Sequence, residues 1–120
     1  MRNKIMTREK IAAVVTKFKK RGKKVVFANG CFDILHVGHV RFLKGAKAKG
    51  HVLVLGLNSD ASVRKLKGKG RPLVNQRDRA ELMAAFEFVD YVTVFGEQTV
   101  EKTLRIIKPD YHAKGTDYTK

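Results

Sequence analysis

The chain has 120 residues, 43% of them hydrophobic, which suffices for one compact domain, and no shift in composition marks a linker. No apolar run approaches the roughly 18 residues that a membrane span needs, and the N-terminus lacks the apolar region of a secretory signal. We therefore expect a cytoplasmic protein without a membrane partner. The single cysteine, Cys31, cannot form an internal disulfide, which fits a reducing compartment.

Positive charge dominates the composition. Lys and Arg total 26 against 11 acidic residues, a formal charge of +15. Such an excess indicates an anionic partner, and nucleic acid is a candidate because a polycation releases counterions from a phosphate backbone. The basic residues are spread along the chain, with dense patches at 17–24 and 64–71. We interpret the first patch as the solvated end of a helix, and residues 65–72, which contain two glycines, as a mobile loop that presents several cations to one ligand.

Apolar spacing predicts an alternation of helices and strands. The predicted helices cover residues 7–20, 39–49, a short stretch after Asp60, 76–88 and a segment around 100–107. The predicted strands cover 24–28, 51–57, 91–95 and a segment that begins at Tyr111. Thr7 is expected to cap the first helix, and Asn29 and Gly30 to form the turn that ends the first strand. This alternation predicts an α/β fold with a Rossmann-like open parallel sheet flanked by helices, in a single domain.

The residues after the first predicted strand indicate a phosphate site. They read Gly30-Cys31-Phe32-Asp33-Ile34-Leu35-His36-Val37-Gly38-His39 and lead into a helix. His36 and His39 are thereby placed at a helix N-terminus, where free N–H groups and the helix dipole attract anions. Gly30 and Gly38 remove side chains where a ligand, or another piece of backbone, could approach closely. The alternative is a tight glycine turn with two histidines that cap or pack.

Polar segments follow other predicted strands as well. Asn58-Ser59-Asp60 comes after the second strand, and the fourth strand leads into the residues after Ala113. In open α/β sheets, ligands bind at the carboxyl ends of the strands, near the point where the strand order reverses. We therefore expect these segments to converge with the histidine motif on one crevice.

The motif resembles the hallmark of the cytidylyltransferase-like branch of the HIGH-motif nucleotidylyltransferases, G-x-F-D-x-x-H-x-G-H after the first strand. Further segments resemble the adenylyltransferase domain of bacterial ADP-heptose synthase, so that the similarity covers residues 8–119. These segments are Asn58 to Val63, Leu66-Lys67-Gly68, Arg71-Pro72, Arg79, Val89 to Val92 and Lys114 to Tyr118. The resemblance implies one nucleotidylyltransferase domain over residues 1–120.

The same resemblance implies a reaction. An adenylyl group would pass from ATP, with Mg²⁺ on the triphosphate, to a sugar 1-phosphate such as D-glycero-β-D-manno-heptose 1-phosphate, and pyrophosphate would leave. His36 and His39 would bind the triphosphate and support the transition state. Lys67, with Lys65 nearby, would bind the incoming phosphate. No residues are expected to form a dedicated metal site.

Further binding residues are implied by the resemblance. Those expected at the nucleotide are Gly30, Cys31, Phe32, Asp33, Gly38, Arg79, Lys114, Gly115 and Asp117, with Tyr118 close by. Cys31 and Phe32 would contribute backbone groups and no nucleophile, and Asp33 would orient the loop. Arg79 would clamp phosphate oxygens in bidentate fashion. Asn58 and Asp60 would touch the sugar.

Structural roles are the alternatives for several of these residues. Asp33 would cap the turn, and Asn58 and Asp60 would cap a helix. Arg79 would form a surface ion pair with Glu81 or Asp78. The residues from Lys114 to Tyr118 would make loop contacts.

Two parts of the larger synthase are expected to be missing. Domains of this kind continue to a further strand and a Ser/Thr-rich motif, which would follow Lys120, and the synthase also carries a sugar-kinase domain. A separate kinase would then supply the sugar phosphate, and a homodimer is a further expectation.

Two other functions remain open. The first is a CTP-dependent cytidylyltransferase for glycerol 3-phosphate or another alcohol phosphate. The second, a basic nucleotide- or nucleic-acid-binding module without enzyme activity, rests on the charge alone, and we do not expect nucleic acid to be the partner.

Overall fold

Helices and parallel strands alternate along residues 3–113, the part of the chain that the computed structural model describes. The helices are α1 (Arg8–Lys20), α2 (Val37–Ala48), α3 (Asp60–Lys67), α4 (Gln76–Ala84) and α5 (Glu101–Ile107). The strands are β1 (Val25–Gly30), β2 (Val52–Asn58), β3 (Tyr91–Phe95) and β4 (Tyr111–Ala113). The strands form one parallel sheet in the order β3-β2-β1-β4. The predicted α/β fold with an open parallel sheet is confirmed.

Both faces of the sheet are covered by helices. Val25 and Phe27 of β1 pack with apolar residues of α1 and α5, whereas Val26 and Ala28 pack with α2 and α4. All seven residues of β2 are buried. Burial on both faces explains why the strands are continuous apolar runs without polar alternation.

The order of the strands puts the point where it reverses beside β1. From β1 the chain passes through α2 to β2 on one side, and from β3 it returns through α5 to β4 on the other side of β1. The strand order therefore reverses between β1 and β4, and the histidine motif begins at the carboxyl end of β1. This is the position at which open α/β sheets bind ligands.

The N-terminal segment protects one edge of the sheet. The Met6 N–H donates to the Val92 carbonyl over 3.0 Å, and the Val92 N–H donates to the Lys4 carbonyl over 2.9 Å. Ile5 forms a parallel bridge with Val92 of β3. Backbone groups that would otherwise be open to pairing with another chain are thus occupied.

Element boundaries agree with the predictions at some ends and differ at others. The Thr7 hydroxyl accepts the Lys10 N–H, so the predicted cap of α1 is confirmed. The turn predicted at Asn29 and Gly30 is wrong, because both residues continue β1 and pair with Gly56 and Leu57 of β2. The side chain of Asn29 is also held by the His112 ring, at 2.6 Å, in the neighbouring strand β4.

The helix predicted over residues 76–88 is shorter in the structure. α4 ends at Ala84, and tighter turns follow, in which the Phe86 N–H donates to the Met83 carbonyl and the Val89 N–H to the Phe86 carbonyl. These turns bring Val89 into the core, where it is fully buried.

The loop predicted over residues 65–72 is wrong for its first three residues. Residues 65–67 complete α3, and Gly68, with a φ of +96°, ends the helix by donating its N–H to the Arg64 carbonyl. Lys65 and Lys67 therefore lie on a helix whose first residue is Asp60.

Gly56 gives a test of the packing at the centre of the sheet. A Cβ atom there would lie 2.5 Å from Cζ of Phe27 and 3.3 Å from Cε1 of Phe95, and both rings are buried. We expect Gly56→Ala to lower the free energy of unfolding by about 1–3 kcal/mol, because the rings must leave their rotamers. Urea unfolding followed by circular dichroism measures this change.

Gly45 on α2 is the matched control. It is exposed, and an added Cβ would meet no atom within 4 Å. Gly45→Ala should raise the free energy of unfolding by about 0.5–1 kcal/mol, because alanine favours the helix. Equal changes in both variants would contradict the packing described for Gly56.

Candidate active site

The two motif histidines form a reciprocal cap at the start of α2. Nδ1 of His36 accepts the Gly38 N–H at 3.0 Å, and Nδ1 of His39 accepts the His36 N–H at 3.2 Å. A ring nitrogen that accepts a hydrogen bond carries no proton, so each neutral ring holds its proton on Nε2. The capping alternative is therefore confirmed, and it leaves the exposed His36 ring with an Nε2–H donor.

The charge of this pair is limited by its geometry. The two ring centroids lie 4.0 Å apart. Burial, and next the neighbouring His36, lower the pKa of the His39 imidazole. His39 is thus neutral near pH 7, and its Nδ1 stays available as an acceptor for the His36 N–H.

The space above the motif glycines is filled by the motif's own side chains. A Cβ at Gly30 would lie 2.8 Å from Cε2 of Phe32, and one at Gly38 would lie 2.7 Å from Cε1 of His36. Phe32 is buried, adopts a φ of +47° and packs its ring against His39 at a centroid distance of 5.2 Å. Within residues 3–113, chain neighbours aside, the atoms nearest to these positions belong to side chains and not to another piece of backbone, so both glycines make room for side chains that brace the loop. The predicted contact of the glycines with a ligand stays a prediction.

Asp33 connects the motif to a segment forty residues later. Its carboxylate accepts the Leu73 and Val74 N–H groups, both at 2.8 Å, and the Arg71 Nε at 2.6 Å. The residue is buried, with 6% of its surface exposed. The predicted role of orienting a loop agrees with these contacts, which cap no local turn. The segment that Asp33 holds, residues 71–74, was not predicted to contact the motif.

Arg79 is fully buried, and its guanidinium donates four hydrogen bonds to oxygen atoms of other residues in the described part of the chain. Nε donates to the Val74 carbonyl, Nη1 to the Cys31 and Asn58 carbonyls, and Nη2 to Asp60 Oδ1, over 2.7 to 2.9 Å. The alternative of a surface ion pair with Glu81 or Asp78 is wrong, because the acidic partner is Asp60. Phosphate binding by Arg79 stays a prediction, and this buried geometry does not favour it.

The cap of α3 is Ser59. Its hydroxyl accepts the Ser62 N–H at 3.2 Å, so the interpretation of Asn58 and Asp60 as caps is wrong. The buried Asn58 amide donates to the Ser62 hydroxyl at 3.0 Å, while Asp60 pairs with Arg79. Their contact with a sugar stays a prediction.

Lys67 lies at the end of α3 that is close to the motif. Burial raises the pKa of the Cys31 thiol, although the charges of Lys67 and Arg79 act in the opposite direction. The thiol is therefore protonated near neutral pH, which agrees with the expectation that Cys31 is no nucleophile. Lys65 and Lys67 are both exposed.

The remaining predicted site residues lie outside the described part of the chain. Lys114, Gly115, Asp117 and Tyr118 follow β4 in sequence, and their contacts with a nucleotide stay predictions. Within residues 3–113, no three side chains of His, Cys, Asp or Glu cluster as a metal site. No helix within that range is long and apolar enough to cross a bilayer.

The hydrogen bonds of Asp33 predict an acid-dependent stability. Burial alone would raise the pKa of this carboxyl, but the Leu73 and Val74 N–H groups and Arg71 outweigh burial and lower it below 3.8. Because the folded pKa is lowered, the contribution is complete above pH 3.8 and is lost as the pH falls through the folded pKa. Asp33→Asn should cost about 2 kcal/mol or more at neutral pH, since it removes a charged acceptor from two N–H groups.

Urea unfolding of Asp33→Asn and the unsubstituted protein over a pH series measures this effect. We expect the difference in stability to narrow below pH 3.8. The exposed Glu87→Gln serves as the control and should change stability little at any pH. A difference that stays constant down to the lowest pH would show that ionised Asp33 does not stabilise the fold.

Comparisons with known proteins agree with the motif and the fold. The model of the family described as cytidylyltransferase-like matches residues 27–120. The bifunctional protein HldE of Geobacter metallireducens is 53% identical over 116 residues, which is 97% of this chain and 24% of the relative. The bifunctional protein HldE of Aliarcobacter butzleri is 54% identical over 114 residues, 95% of this chain and 24% of the relative. The chain thus spans about a quarter of the length of these relatives.

A solved structure supports the same assignment. The lipopolysaccharide core biosynthesis protein of Thermoplasma volcanium superposes with a TM-score of 0.69 and 35% sequence identity, over 76% of this chain and 73% of that protein. The resemblance stated from the motif is confirmed by these matches. The chain belongs to the cytidylyltransferase-like family.

Proposed function

We propose that this domain transfers the adenylyl group of ATP to a sugar 1-phosphate, D-glycero-β-D-manno-heptose 1-phosphate, and releases pyrophosphate. The observation that carries the proposal is the reciprocal histidine cap at the start of α2, at the carboxyl end of β1. A role of this domain in lipopolysaccharide core biosynthesis is supported by the similar solved structure from Thermoplasma volcanium, which is described as a lipopolysaccharide core biosynthesis protein.

The chemistry is an in-line displacement at the α-phosphorus. An oxygen of the sugar phosphate forms a bond to phosphorus, the bond to the pyrophosphate oxygen breaks, and its electron pair leaves with pyrophosphate. Little covalent chemistry is required of the protein, so catalysis consists of positioning and of stabilising negative charge. The α2 N-terminus and the Nε2–H of His36 are suited to hold phosphate oxygens while that charge shifts.

Cations near the motif have a separate task. Two phosphate-bearing substrates repel each other, and Lys67, with Lys65 on the same helix end, would reduce that repulsion and bind the acceptor phosphate. Mg²⁺ would enter with the triphosphate as part of the substrate, because Asp33 and Asp60 are already engaged by Arg71 and Arg79.

Other expectations belong to the same proposal. Residues 114–118 would approach the nucleotide, Asn58 and Asp60 the sugar, and Gly30, Cys31, Phe32 and Gly38 would form the loop beneath the phosphates. A separate kinase would supply the sugar phosphate. A cytoplasmic location and a homodimer stay predictions.

Pyrophosphate release measures the substrate preference. We expect release with ATP and the heptose 1-phosphate, and far less with CTP and glycerol 3-phosphate, in the presence of Mg²⁺. Release with CTP alone would contradict the heptose assignment and favour the cytidylyltransferase alternative, to which the family description also points. Binding to generic DNA or RNA, without pyrophosphate release from any pair, would favour the binding-module hypothesis.

His36→Asn separates capping from phosphate binding. The asparagine oxygen can accept the Gly38 N–H in place of Nδ1, and asparagine is a strong N-cap residue, so the melting temperature should change little. The Nε2–H donor is lost, and we expect turnover to fall roughly 100-fold or more. Pyrophosphate release and thermal unfolding measure the two effects.

The exposed His51→Asn is the matched control for a lost imidazole. His51 begins the approach to β2, where its Nδ1 accepts the Lys24 N–H, and it lies at the amino end of the strands. Turnover of this variant should match that of the unsubstituted protein. Unchanged turnover in His36→Asn would remove the role proposed for the donor.

A further inference from the structure

The arrangement around Arg79 suggests a role different from a phosphate clamp. Arg79 has the largest of the fully buried side chains among the described residues, with 0% of its surface exposed. A guanidinium has five N–H donors. Four of the five donate to protein oxygens here. The fifth N–H, on Nη2, is buried with the rest of the side chain, so a phosphate could reach Arg79 only if the surrounding packing opened.

The four acceptors belong to four different parts of the candidate site. Cys31 begins the histidine motif, Asn58 ends β2, Asp60 begins α3, and Val74 lies in the segment before α4. Each of these residues lies within two residues of the end of a helix or strand, on the side of the sheet where the strands have their carboxyl ends. One side chain thus sets the distances between segments that are otherwise joined by loops.

The segment containing Val74 is held from two sides. Its carbonyl accepts from Arg79 over 2.9 Å, and its N–H donates to Asp33 over 2.8 Å. Asp33 belongs to the motif loop, whose Cys31 carbonyl also binds Arg79. A closed circuit of hydrogen bonds therefore joins the motif loop to residues 71–74, and a shift of Arg79 would move both.

α3 is joined to the same circuit. The Arg79–Asp60 ion pair, at 2.8 Å, fixes the first residue of α3, and Lys67 is the last residue of that eight-residue helix. Helices are stiff over this length, so the placement of Asp60, together with the buried Ser62 and Val63, sets where the Lys67 end lies relative to the motif.

We infer that Arg79 is a positioning residue, which sets the separation between the histidine pair and the basic end of α3 through its bonds to Cys31, Asn58 and Asp60. This inference rests on the proposed function and deepens it. Lysine cannot replace the arginine here, because an ammonium group lacks the planar fork that reaches acceptors in several directions.

The test compares Arg79→Lys with Arg77→Lys, an exposed arginine two residues earlier on α4. Imidazole proton resonances of His36 and His39 are recorded in the ligand-free protein at one fixed pH, and kcat and KM for ATP are measured by pyrophosphate release. In Arg79→Lys we expect both imidazole resonances to shift and kcat to fall roughly 100-fold, as misplacement by about 1 Å would cause, with KM changed much less. Arg77→Lys should change neither.

The opposite pattern would identify a phosphate ligand. A raised KM, with unchanged kcat and unshifted imidazole resonances, would overturn the positioning role and leave the proposed reaction standing. If Arg79→Lys does not fold, Asp60→Ala decides, because it removes the acceptor that Nη2 of Arg79 meets at the start of α3. Shifted imidazole resonances in folded Asp60→Ala would support the role, and unshifted ones would refute it.

The two proposals fail separately. Absence of nucleotidyl transfer in the unsubstituted protein, with every substrate pair, would refute the proposed function. The imidazole resonances of the ligand-free variants would still decide for or against the positioning role, because they need no turnover.

Discussion

The candidate site depends on two buried side chains of opposite charge that hold the same piece of backbone. Asp33 accepts the N–H groups of Leu73 and Val74, and Arg79 donates to the Val74 carbonyl. Neither charge is left alone, since Asp33 also meets Arg71 and Arg79 meets Asp60. Breaking one partner of such a buried network is costly, because it leaves another polar group in the interior without a partner. The loops at the end of the sheet are therefore joined to one another by this network.

This network also neutralises acidic side chains of the candidate site. Acidic side chains next to an anion site would repel the ligand, and the two carboxylates nearest to the motif are each paired with an arginine. The proposed function assigns the phosphate oxygens to the α2 N-terminus, the Nε2–H of His36 and the exposed lysines at the end of α3. Under the proposed function, the high net charge would act at the site as a local excess of cations that attracts phosphate esters.

Much of the fold was predictable because its signals are local. The bounds of β3 and the Thr7 cap depend on residues that are neighbours in sequence. The histidine motif likewise indicates, from its own residues, that a strand ends before it and that a helix begins within it. The roles of Asp33 and Arg79 depend on partners 40 and 48 residues away, and no spacing rule reveals such pairs. Arginine side chains are usually exposed. The prediction that Arg79 clamps phosphate assumed such an accessible guanidinium. Burial of the whole side chain, which decides the matter, is a property of the packed domain.

The histidine cap joins the fold to the chemistry through the tautomer. Each Nδ1 is fixed as an acceptor by a backbone N–H, and this leaves the proton on Nε2. The alternative of capping histidines and that of phosphate-binding histidines are therefore not in competition, because the first sets the proton position that the second requires. Protonation of His39 would remove its acceptor and break the bond to the His36 N–H, and burial together with His36 lowers the pKa at which this happens. Near neutral pH the neutral His39 ring therefore keeps its hydrogen bond to the His36 N–H, and the cap stays intact.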